Sequence, residues 1–382
     1  MIFYIFTRNI KTNLKMNLKQ SLPILLPALI AFGCKDNNKQ EEKNEAYEDS
    51  IAQQDTIKYH SEPLITDHFT ADPSAHVFED KIFIYPSHDW DSGEPEMDDG
   101  NHFNMKDYHV YSMDDPDGEV TDHGEVLNVE DVAWAKRQMW APDAAEKDGK
   151  YYLFFPAKDK DDIFRIGVAI SDKPEGPFTP EEQPIEGSYS IDPAVYKDTD
   201  GEYYMYFGGI WGGQLQRWQT GEFVEEDEYP ADDEPALSPK IAKMSDDLLS
   251  FAEEPKDVEI LDENGEPITT GDNDRRFFEA AWVHQYNGKY YFSYSTGDTH
   301  NIAYAIGDSP YGPFTYQGVI LEPVVGWTNH HSIVEYEGKW YLFYHDSSLS
   351  DGKTYLRSMK MMEIEYDEDG KIKTMQSYTE LD

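Results

Sequence analysis

The chain has 382 residues, with 76 Asp and Glu against 32 Lys and Arg and a formal net charge of −44. A field of that sign repels nucleic acid and anionic lipid head groups and excludes both as partners, whereas a neutral sugar meets no such penalty. The single cysteine, Cys34, leaves no disulfide, no cysteine-based zinc site and no thiol chemistry to consider.

Residues 1–33 carry Arg8, Lys11, Lys15 and Lys19 and no acid, and an apolar run from Leu22 to Phe32 ends at Gly33-Cys34. This pattern predicts a secretory signal over 1–34 whose apolar stretch is too short to span a bilayer; Met16 offers a second start that leaves a shorter signal. Gly33-Cys34 resembles a bacterial lipobox, although Ala31 and Phe32 stand where Leu and a small residue are usual. The expectation is an exported protein, anchored by a lipid on Cys34 at the bacterial outer membrane or else periplasmic. Residues 35–60 are rich in Lys, Asp, Asn, Gln and Glu and poor in apolar residues, which predicts a disordered acidic tether.

From 61 to 382 no Pro- or Gly-rich linker divides the chain, and one domain is expected. Five segments within it share a layout. Each has a short strand, a tight turn and an aromatic strand, as in Asp192-Pro193-Ala194-Val195-Tyr196 followed by Gly201 and Tyr203-Tyr204-Met205-Tyr206-Phe207. The others open at Asp72, Ala141, Glu279 and His330, and their turns of the Asp-Gly, Asn-Gly and Glu-Gly type are hairpin signals. Gly176-Pro177-Phe178 is echoed by Gly312-Pro313-Phe314. Self-similarity at this spacing predicts an all-β fold, a five-bladed β-propeller over 61–382. The first strand of each blade lines the axis, so Asp72, the Ala141 region, Asp192, Glu279 and His330 should meet at one mouth. Pro73 and Pro193 are expected to hold the preceding Asp in extended geometry.

Phe277-Phe278-Glu279-Ala280-Ala281-Trp282 places one carboxylate among apolar residues, where burial raises its pKa and keeps a proton on it near neutrality. Acidic turns such as Asp198-Thr199-Asp200-Gly201 lack the spacing of a calcium-binding EF-hand. No metalloprotease, P-loop or dinucleotide fingerprint is present.

Ala71-Asp72-Pro73, Ile191-Asp192-Pro193-Ala194 and Phe278-Glu279-Ala280, in that order on five aromatic hairpins, resemble glycoside hydrolase family 43. Met139-Trp140-Ala141-Pro142-Asp143, the Gly-Pro-Phe repeats and His330-His331-Ser332 add to the likeness, which runs from about residue 64 onward. The resemblance implies an inverting exo-glycosidase that releases xylose from β-1,4-linked xylo-oligosaccharides, with Asp72 as general base, Glu279 as general acid and Asp192 raising the pKa of Glu279 and orienting it. The alternatives are an α-L-arabinofuranosidase acting on arabinoxylan or arabinan, and a carbohydrate-binding propeller without catalysis, which would not need all three carboxylates. Related fructan-cleaving propellers usually have Asn, Arg and a Glu-Cys pair where Ala71, Ile191 and Ala280 stand, which sets that reading aside.

Sugar faces pack on aromatic rings, and Trp90, Trp140 and Trp211 are the candidate platforms. Loops 86–106 and 209–235, which also hold His102 and Trp218, should wall the pocket. The resemblance places Arg357 near the sugar. It likens His330 to an axial histidine that contacts a hydrated calcium or an ordered water in the central channel, so His330 is both a substrate-binding and a metal-ligand candidate. No cofactor is expected to be required. Oligomeric state is not legible.

Overall fold

A computed structural model describes residues 57–381. The expected signal, Cys34 and most of the expected tether lie outside the described residues. The strand Ile57–Tyr59, which falls within the stretch read as tether, pairs antiparallel with Tyr378–Glu380.

The described residues form an all-β, five-bladed propeller in which each blade comes from one contiguous stretch. The first blade is built from Phe69–Phe78, Lys81–Asp89, Asp107–Met113 and Thr121–Asn128. The second has Asp143–Lys147 innermost, then Lys150–Asp159 and Phe164–Ser171. The third opens at Ala194–Lys197, the fourth at Phe277–Tyr286 and the fifth at His331–Tyr336. Two of the tight turns show why the hairpins close: Asn287-Gly288 and Glu337-Gly338 both place two successive residues at positive φ. That geometry matches the twist of the flanking strands and suits Asn and Gly.

The second strand of each hairpin reads as a continuous apolar run because both of its faces are buried. In Lys81–Asp89, Phe83 and Tyr85 pack toward the second blade against Leu153 and Phe155. Their neighbours Ile82 and Ile84 pack toward the fifth against Tyr341, Phe343 and Met359. Likewise Tyr152 and Phe154 meet Tyr203, Met205 and Phe207 of the third blade. Alternate side chains of a strand point to opposite faces, so every blade is sealed to both neighbours by aromatic residues. Truncating one of these, such as Phe155, would cost about 3–5 kcal/mol.

The ring is also stitched at its axis. Ser332 Oγ donates to Pro73 O at 2.6 Å and accepts from Ala75 N at 3.0 Å, joining the last blade to the first. Asp143 accepts from Ser74 Oγ at 2.5 Å and from Val195 N at 2.5 Å, tying three blades together. Ala280 N donates to Asp192 Oδ2 at 2.8 Å, joining the third and fourth.

Candidate active site

The inner strands enter the axis through irregular backbone. In the first blade the pairing register slips between Ala71 and Ser74, and Asp72 has φ 51°. In the fourth it slips on both sides of Glu279, and Ala280 has φ 63°. Asp192, just before its strand, has φ 56°. The expectation that proline keeps Asp72 and Asp192 extended is therefore wrong. A bulge in the left-handed region overrides the local preference, because it turns the side chain out of the strand's alternation. Such strained backbone survives where surrounding hydrogen bonds fix it, here Asp72 N to His345 Nδ1 at 3.0 Å and Asp192 to Ala280 N.

All five expected strand openers, Asp72, Ala141, Asp192, Glu279 and His330, line one pocket at the mouth of the axis. Its empty space is about 540 Å³, open solvent included. The loop expected over 86–106 supplies His102, Phe103 and Met105, and that over 209–235 supplies Ile210, Trp211 and Gly212. A third loop, with Trp327 and Thr328, completes the wall.

The three carboxylates sit in three electrostatic environments. Asp72 is buried, which by itself would raise its pKa. The Arg357 guanidinium, then His345, His330 and the Ser87 hydroxyl, overcome that and bring it to about 2. Arg357 Nη1 lies 3.0 Å from Asp72 Oδ1, and Ser87 Oγ donates to Asp72 Oδ2. Ionisation of Asp72 thus rests on a buried cation, not on solvation. Burial, joined by the charge of Asp72, pushes Glu279 up to about 8 against the opposing pull of Arg357. Burial, then the charges of Glu279 and Asp72, push Asp192 well above the usual carboxylate range. Repulsion within the Glu279–Asp192 pair is mutual, so the two together retain a proton near neutrality.

Arg357 is buried. Its Nε and Nη2 bind Asp89 in a fork at 2.7 and 2.8 Å, and its plane lies 4.8 Å from the Phe103 ring centre. Asp89 and His345 are functional neighbours that the motif reading passed over. Asp89 was legible, since Ser87 and Asp89 alternate to the same face of one strand. His345 Nδ1 accepts from Asp72 N, so its proton sits on Nε2, facing Thr328. Burial pushes its pKa down to about 3 and it is neutral.

The aromatic candidates divide. Trp140 lines the pocket, held by Nε1 donating to Phe103 O at 2.6 Å. Gly100 lets that ring in, since a Cβ there would come within 2.6 Å of it. Trp211 lines the pocket and stacks on Trp327 with ring centres 5.4 Å apart. Trp327, 40% exposed, was not anticipated. Trp90 does not reach the pocket. Its Nε1 binds Asn104 O at 2.7 Å, with Lys106 over the ring, because the strand's alternation sends Asp89 inward in its place. Trp218 is likewise outside, stacked on Tyr189.

His330 Nδ1 stands 3.7 Å from both Asp72 Oδ1 and Asp192 Oδ2. Burial pushes its pKa down to about 4, with Asp72 opposing, so the ring is neutral. Calcium takes six to eight oxygens. The protein offers His330 one nitrogen's worth of ligation beside carboxylates already held by Arg357 and the Ala280 amide. The residues present therefore fit a calcium only as a hydrated ion resting on His330.

Three carboxylates, one held ionised and two sharing a retained proton, in one pocket that Trp140, Trp211 and Trp327 also line are the equipment of a glycosidase. The model of glycosyl hydrolases family 43 matches residues 65–372. The chain belongs to that family. It is a glycoside hydrolase. A xylosidase/arabinosidase of Bacteroides ovatus is 62% identical over 83% of this chain and 98% of its own length. A beta-xylosidase of Xylanibacter ruminicola is 59% identical over 80% and 97%. Among solved structures, a family 43 beta-xylosidase/alpha-arabinofuranosidase from a compost microbial metagenome, in complex with xylotriose and in a calcium-free form, superposes with a TM-score of 0.82. It is 67% identical over 84% of this chain and 99% of that one. A Xanthomonas citri enzyme complexed with xylotriose gives 0.81 at 55% identity over 86% and 96%.

Proposed function

We propose that the protein removes terminal xylose from β-1,4-linked xylo-oligosaccharides with inversion at the anomeric carbon. The observation that carries this reading is the separation of carboxylate states at one pocket, Asp72 ionised by Arg357 and Glu279 held protonated by burial. Glu279 gives its proton to the leaving glycosidic oxygen. Asp72 draws a proton from a water that attacks the opposite face of the sugar, and Asp192 keeps the proton available on Glu279 and fixes the backbone beside it. Neutral His330 stands between Asp72 and Asp192, its Nδ1 3.7 Å from an oxygen of each.

A calcium on His330 would add positive charge near Asp72; none of these steps passes through it, and the calcium-free relative holds xylotriose. The stacked Trp211–Trp327 pair and Trp140 are apolar surfaces for the sugar faces. Cleavage of α-L-arabinofuranosides is the second reading, favoured by the double names of the xylosidase/arabinosidase relatives. Comparing kcat/KM on aryl β-xyloside and aryl α-arabinofuranoside separates the two, and a higher value for the arabinofuranoside would reverse their order. We also propose export and lipid anchoring through Cys34, supported by the basic, then apolar, leader. Replacing Cys34 with Ser would release the protein from membranes if this is right.

A further inference from the structure

Away from the pocket, the first blade gathers side chains that hydrolysis does not use. His68 immediately precedes Phe69–Phe78, His88 is on Lys81–Asp89, His109 on Asp107–Met113 and Asp122 on Thr121–Asn128. His109 Nδ1 is 3.5 Å from Asp122 Oδ1, and His68 Nε2 is 3.6 Å from Asp122 Oδ2. One ligand atom from each of the three lies within 4.8 Å of the other two. The His68 and His109 ring centres are 5.1 Å apart, and the His88 ring stands 4.8 Å from His109 and 5.5 Å from His68. His88 is itself fixed by Asp107, Nδ1 to Oδ1 at 2.5 Å.

The spacing favours a metal site over a hydrogen-bonded cluster. Gaps of 3.5 and 3.6 Å are too long for good hydrogen bonds, and His109 Nδ1 is buried with no hydrogen-bond partner. Ligands bound to zinc at about 2.0–2.1 Å with tetrahedral angles stand roughly 3.3–3.5 Å from one another. The two imidazole–carboxylate gaps are close to that separation, each to its own oxygen of Asp122, and one donor atom from each of the three residues lies within 4.8 Å of the others.

We propose that His68, His109 and Asp122 form a binding site for a divalent transition metal of the zinc type, with the His88–Asp107 pair packed beside it. Two imidazoles and one carboxylate select zinc, cobalt, nickel or copper over calcium and magnesium, which prefer oxygen. The fourth position is left to water. His68 and Asp122 are partly exposed, which gives an ion a way in. The site lies behind the catalytic residues: His88 sits between Ser87, which holds Asp72, and Asp89, which holds Arg357. A metal there ties together three segments of the blade that carries the proposed base.

The test is calorimetric titration of chelator-treated full-length protein with zinc chloride, which does not depend on hydrolysis. The result expected is one zinc per chain, with affinity falling at least tenfold in both His109→Ala and Asp122→Asn. Because His109 is partly buried and its variant could misfold, His68→Gln on the exposed side serves as a second variant with the same expectation. Cobalt bound at the same site should show visible absorption that His68→Gln removes. No saturable zinc uptake by the native protein would overturn the proposal. So would uptake unchanged in His68→Gln and Asp122→Asn but lost in His330→Ala, which would place the ion in the catalytic funnel.

Discussion

Glu279→Gln should make the protein more stable at neutral pH while removing most of its activity. The folded pKa of Glu279 is about 8, against an ordinary value of 4.5. Because the folded value is the higher, stability from this group is fully present below pH 4.5 and is lost as pH rises toward 8. The folded protein must hold a proton that the unfolded chain gives up. At 1.36 kcal/mol per pKa unit the loss is about 3 kcal/mol at pH 7 and approaches about 5 kcal/mol above pH 8. Gln keeps the shape and carries no charge, so it escapes that loss. For a domain of this size about 3 kcal/mol corresponds to roughly 4 °C in Tm. Calorimetry of both proteins at pH 5 and pH 7.5 should show a gain that is small at the lower pH and larger at the higher. In parallel, hydrolysis of xylobiose should fall by roughly 10²–10⁴-fold, and that of an aryl xyloside, whose leaving group needs less protonation, by less. A Tm difference that does not change with pH, or equal losses on both substrates, would refute the reasoning.

Asp192→Asn keeps an acceptor for the Ala280 amide but removes a like charge, so the alkaline limb of kcat/KM should move to lower pH; an unmoved limb would assign Asp192 a structural role only. Asp72→Asn should abolish turnover while xylose affinity, measured by calorimetry, stays within about threefold of native, about 0.65 kcal/mol. Arg357→Lys loses the fork to Asp89, and the acidic limb, set by Asp72 at about 2, should rise by about one pH unit or more. Trp327→Ala should raise KM for xylotriose by roughly 2–10-fold, the worth of one aromatic contact, with kcat little changed.

The architecture was readable because five hairpins repeat one pattern, and repetition converts weak local signals into a ring. Once the ring is accepted, convergence of Asp72, Asp192 and Glu279 follows from topology. Side-chain direction at those positions does not follow from topology. The bulges at Asp72 and Glu279 break the alternation of their strands, and a proline signal that means extended chain elsewhere was misleading at Asp72-Pro73 and Asp192-Pro193. Alternation would have separated Asp89 from Trp90 had the pair been read as a strand and not as a loop. His345 and Trp327 carry no local mark. One lies inside an ordinary aromatic strand and the other in a loop, and only the closure of the fifth blade against the first brings His345 to Asp72.

The central claim is that Asp72 and Glu279 act from opposite faces of the sugar with a water between one of them and the anomeric carbon. Proton NMR of xylotriose during the first minutes of hydrolysis reads this directly. The account predicts that xylose appears first as the α-anomer and only later mutarotates. Initial release of β-xylose would mean a covalent intermediate, which needs carboxyl groups about 5–5.5 Å apart, and would contradict the assignment of Asp72 as a base.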